Sequence, residues 1–102
     1  MKKLSQQSNI CKQHFQAGVV TAAAVSEALS RKNLGRITLS KPLSEDEFRK
    51  IMDQRIDREL DVMQTVLVVE MGDKAAKRWI RNIREIIYLS GALEEAVNMF
   101  FI

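Results

Sequence analysis

What is scarce in this chain of 102 residues excludes a good deal. It has a single cysteine, Cys11, so no internal disulfide can form, which accords with a reducing compartment. Cys11 and the single histidine, His14, make one C-x-x-H, and a metal site needs at least two further ligands of a kind the chain does not repeat. Nucleophilic chemistry from the same pair would need an orienting neighbour in a formed cleft. The four glycines form no phosphate-cradling loop and look like caps and turns. The carboxylates at 53, 57, 59 and 61 bring no pocket signature with them. We therefore expect no enzyme, no cofactor and no metal. No run reaches the roughly 18 apolar residues of a membrane span. The lysines at 2 and 3 are followed by polar residues where a signal peptide turns apolar, so the expected location is cytoplasmic.

What remains is typical of a folded helical protein. Hydrophobic residues make up 46% and charged residues 28%, too apolar a balance for a disordered chain. The length suits one domain with a modest core, a size at which pairing with a second chain adds stability. Charge is uneven. Residues 1–36 carry six basic side chains and one acidic, residues 37–72 five and eight, and residues 73–102 five and four, so the net +3 originates in the N-terminal third. Such a balance permits nucleic acid or an acidic protein as partner without requiring either.

The clearest local instruction is at Leu43–Phe48. Ser44 is an N-cap with Glu47 three residues on, Leu43 and Phe48 occupy the positions of a hydrophobic staple, and Pro42 stops any helix arriving from upstream. Three acids, Glu45, Asp46 and Glu47, complement the exposed N–H groups of the first turn. A helix is predicted over 44–71. Projected at about 100° per residue, Phe48, Ile51, Met52, Ile56, Leu60, Val62, Met63, Val66 and Leu67 share one half of its circumference and are expected to be buried. Arg55 and Glu59, one turn apart, fall within that apolar arc. They are spaced to pair, either in partial solvent or as the register-setting ion pair of a dimer. The β-branched run at 65–69 also suits a strand, but the helical phase carries through it, and Gly72 and Asp73 offer a C-cap and a new N-cap.

Upstream, residues 1–14 read as a flexible arm or the start of a helix, and 15–34 as an Ala-rich helix ending near Gly35, with Phe15, Val19, Ala22 and Leu29 as its apolar face. Gly18 within it is a cost that a turn or tight packing would offset. Residues 36–41 read as an extended linker. Downstream, 73–101 shows Ala76, Trp79, Ile83, Ile86, Ser90, Leu93, Val97 and Phe100 at alternating intervals of three and four, widened by Ile80, Ile87 and Phe101, with a break expected at 90–91. The fold class expected is an all-α compact bundle of three to four helices, completed by homodimerisation.

Two functions fit. The first is a small non-enzymatic helical interaction protein, such as an adaptor, an antagonist of a larger regulator or a chaperone. It would act through apolar helix faces and a hydrophobic C-terminus, its interface drawn from Arg55, Glu59, Trp79, Ile83, Ile86, Leu93, Val97, Phe100 and Phe101. The alternative is a small dimeric DNA-binding transcription or plasmid- or phage-type regulator using the basic N-terminal half. Ala17 to Leu39 superficially resembles the turn and recognition helix of a helix-turn-helix, with an A-G-V turn at 17–19 and a V-S-x-A-L helix at 25–29, in the flavour of the A-G-V-S-x-x-T-V-S-R-A-L of the lac-repressor family. It departs in having Gly18 seven residues before Val25 where that family has six, a rotation of about a quarter turn. The nucleic-acid or acidic-partner contacts would come from Thr21, Ser26, Arg31, Lys32 and Arg36, and from a basic stripe of Lys74, Lys77, Arg78, Arg81 and Arg84. As a plain solvated face, that stripe would meet the acids at 53, 57 and 61 instead.

Overall fold

Each helix begins and ends where the backbone's unpaired groups find partners. The computed structural model describes residues 2–38 and 41–101, with the side chains of 2–7 and 36 excepted. Four helices follow in order: α1 (Lys2–Ile37), α2 (Glu45–Met71), α3 (Asp73–Leu89) and α4 (Ala92–Phe101). They pack as an all-α bundle with no strand among the described residues, so 65–69 is helix.

At the start of α2 the Ser44 hydroxyl accepts the Glu47 N–H at 3.2 Å and donates to the Glu47 carboxylate at 3.1 Å. The capping residue thus satisfies a free N–H, and its own proton is used. Gly72 ends α2 and begins α3: its N–H donates to Val68 O and its carbonyl accepts from Ala76 N–H, both at 3.0 Å. Its φ of 86° is a conformation side chains disfavour, so glycine holds the place expected of Asp73 as N-cap. Asp73 is already helical, with its carboxylate 3.2 Å from Lys77 Nζ. Between α3 and α4, Gly91 has φ 77° and the Ser90 hydroxyl accepts the Ala92 N–H at 3.3 Å.

The core lies between the helices, with Phe48, Met52, Ile56 and Leu60 from α2, Ile83 and Ile87 from α3 and Val97 from α4 all but sealed from solvent. α2 and α3 run antiparallel, with Asp57 meeting Arg84 and, one turn back, Asp53 meeting Tyr88. α4 folds its end onto the core: the Phe48 ring lies 6.1 Å from that of Phe100 and 5.2 Å, edge to face, from that of Phe101. α1 contributes small side chains, Ala17, Val20, Ala24 and Ala28, which allow close approach. The molecule is elongated, 56 × 25 × 17 Å, because the 36 residues of α1 outrun every other helix.

Several sequence expectations change here. Residues 2–14 belong to α1, which also runs past Gly35, so the part of the expected linker that is described begins only after Ile37; residues 39 and 40 of that linker lie outside the described residues. The expected inner face of α1 is its outer one: Phe15 is 73% and Val19 53% exposed. α1 is apolar on two sides, and its stripe of small residues brings the helices closer than a phenylalanine between them would allow. Gly18 marks neither a turn nor tight packing, since a methyl group placed on it would meet nothing within 4 Å. Val62 and Val66 are 66% and 56% exposed although they share the apolar arc of α2, which is broader than its neighbours can cover. Ala17–Gly18–Val19 lies within one uninterrupted helix, so the chain has no helix-turn-helix there. No described helix is long and apolar enough to cross a membrane.

Candidate interaction groove

Where α2 broadens beyond what α1 covers, a groove of about 800 Å³ opens among α1, α2 and α3. Its apolar wall is Val62, Met63, Val66, Leu67 and Met71 of α2 together with Trp79 of α3. α1 supplies Asn9, Lys12, Gln13 and Gln16, polar side chains in place of the large apolar ones that would have closed the gap. Gln13 is nonetheless buried, at 9% exposure, and the Trp79 indole N–H donates to Gln16 Oε1 at 2.8 Å. That bond fixes the lone tryptophan at the lip of the groove with its ring half-buried and its polar atom satisfied. Glu59, Glu70 and Arg78 add charge of both signs along the edges.

Glu59 links the groove to a charge network that the sequence only half shows. Arg55 Nε donates to Glu59 at 2.7 Å, the predicted one-turn pair, but Arg55 also donates to Glu27 of α1 at 3.0 Å. Arg58 grips the two oxygens of Glu27 at 2.9 and 3.0 Å. The network therefore joins α1 to α2 within one chain. Partial burial pulls the Glu27 carboxyl upward, yet the hydrogen bonds and charges of the two guanidinium groups outweigh it and hold Glu27 below the ordinary carboxylate value. For Arg55 the bonds to Glu59 and then Glu27 raise an already high value further.

Other expected site residues are scattered. Ile83, Leu93 and Val97 are spent in the chain's own core, Ile86 is half-buried and lines a second open pocket with Ile10 and Leu89, and Phe100 and Phe101 are half-buried against Phe48. The Thr21 hydroxyl donates to Ala17 O at 2.8 Å within α1. Ser26 and Arg31 are exposed, and Lys32 lies over the Phe101 ring, its Nζ 5.1 Å from the centroid. Arg36 lies among the side chains outside the description. On α3, Arg84 meets Asp57 at 2.6 Å and Lys77 meets Asp73, whereas Lys74, Arg78 and Arg81 make no ion pair among the described residues. The basic stripe is thus neutralised at Arg84 by α2 and at Lys77 by Asp73 of α3 itself. Cys11 and His14 are exposed, and among the described residues no three His, Cys, Asp or Glu side chains stand together as metal ligands.

Gln13, Gln16 and Glu27 escaped sequence reasoning because nothing in a polar residue's own neighbourhood announces a partner dozens of positions away. The one usable signal was the glutamines' spacing along the stripe occupied further on by Val20, Ala24 and Ala28. The chain matches no protein-family model, no curated protein and no solved structure with which it was compared.

Proposed function

We propose that this chain is a non-enzymatic helical interaction protein that takes an apolar face of a partner helix into the groove beside Trp79. The observation that supports this reading is the pair of exposed valines, Val62 and Val66, standing in one wall with Met63, Met71 and Trp79. Aliphatic and methionine side chains around a single aromatic anchor are the surface that amphipathic helices use, and methionine adapts to imperfect shapes. Polar groups at the edges, Gln16, Arg78 and Glu70, would orient such a helix. The C-terminal phenylalanines serve the internal core in this reading, and partner capture falls to the groove.

A photoreactive side chain at position 66, compared with one at the exposed Lys50, tests the proposal in cells. The expected result is a discrete adduct with another protein from position 66 and none from position 50. Equal labelling from both positions, or none from either, would overturn it.

A further inference from the structure

We propose that the outer face of α1 is the seat of a second copy of this chain, packed antiparallel about a two-fold axis at Ala22. Phe15, Gly18, Ala22, Ser26 and Leu29 form one stripe on this helix, and all but the half-buried Leu29 are exposed. Outward on the same stripe lie Cys11 and Asn33, also exposed. From Cys11 to Asn33 the stripe carries no charge, over about 33 Å of helix. The chain's only acidic residue in that span, Glu27, is turned to α2 and held by two arginines. A surface so neutral on a chain that is 28% charged calls for a neutral partner.

The order of sizes says which neutral partner. Read from either end, the stripe runs large, small, small, small, large: Phe15, Gly18, Ala22, Ser26, Leu29. A two-fold contact needs a surface that complements itself. Turned about Ala22, the stripe sets Phe15 against Leu29 of the other copy, Gly18 against its Ser26 and Ala22 against its own counterpart. Bulk meets bulk at the ends, and at the centre the backbones approach closely. Gly18 gains a reason that the single chain does not give it. Inside a helix glycine costs about 1 kcal/mol relative to alanine, and no neighbour within the chain crowds it. One helix face is a small interface beside the about 800 Å² per partner of a standard one, so the expected dimer is weak, with a dissociation constant on the order of micromolar.

Sedimentation equilibrium over a range of concentrations, on the full chain and on Gly18→Leu, tests this. Leucine is the better helix former, so the variant should stay folded, with helicity by circular dichroism unchanged or higher. Its dimer should nonetheless weaken by at least about tenfold, a difference of 1.4 kcal/mol. In a Cys11→Ser background, Ala22→Cys should oxidise to a covalent dimer, and Lys50→Cys should not. A chain that stays monomeric at about a hundred times that micromolar constant, or a dimer that Gly18→Leu leaves intact, overturns the proposal. So does an Ala22→Cys variant that links only to other proteins. The groove can still capture a partner if this fails, and labelling from position 66 reports on it separately.

Discussion

The indole N–H of Trp79 donates to Gln16 Oε1 at 2.8 Å, a bond between residues 63 positions apart that ties α3 to α1 at the mouth of the groove. Replacing Gln16 by leucine leaves the indole N–H half-buried without its acceptor. The expected loss is about 1 kcal/mol of unfolding free energy, read from urea denaturation. Trp79 is the chain's only tryptophan, so its emission should also shift, giving a direct optical signal for anything that enters the groove.

Glu27 predicts an acid dependence of definite sign. Its carboxyl is held below the ordinary 4.5 in the fold, so its contribution is complete above that value and is lost as pH falls through the lower folded value. Glu27→Gln should cost about 1 kcal/mol at neutral pH. It should also flatten the part of the stability curve just below pH 4.5, measured by denaturation at stepped pH. An unchanged slope would mean that Arg55 and Arg58 do not hold the charged form.

Tyr88 predicts the opposite, at high pH. Burial and its 2.7 Å bond to Asp53 push its phenol above the ordinary 10. The contribution is present below pH 10 and is lost as pH rises through the folded value. It is the only tyrosine, so ultraviolet titration reads it alone. The midpoint should lie above 10, and Asp53→Asn should lower it.

Phe48 predicts the role of the C-terminus. It is fully buried and carries the rings of Phe100 and Phe101. Phe48→Ala should therefore cost about 3–5 kcal/mol. Alanine at both 100 and 101 should destabilise the fold as well, with Lys32 losing its aromatic partner. If the double variant kept full stability by thermal unfolding, the docking of α4 on α2 would be wrong.

Ser44 predicts a smaller, local effect. Ser44→Ala removes the acceptor of the Glu47 N–H and should lower stability by about 1 kcal/mol, whereas Ser44→Asp should keep most of it.

The helical class and most of its punctuation are local properties of the chain. Ser44, Gly72 and Gly91 act through hydrogen bonds and backbone angles within a turn of their own position, and the three-four spacing of Ile80, Ile83 and Ile87 fixes one buried side of α3 whatever it meets. Which side of α1 turns inward is set by packing against the other helices. Both sides are apolar, and the choice rests on shape: Ala17, Val20, Ala24 and Ala28 let α1 settle onto the bulk of Phe48, Met52 and Ile83, while Phe15 and Val19 are left outside. The same choice faces Glu27 toward Arg55 and Arg58, sets Gln16 beside Trp79 and leaves Val62 and Val66 in an open groove. Local rules reach about one helical turn. The groove depends on how three helices of unequal length and width fit together, and no single stretch of sequence contains that fit.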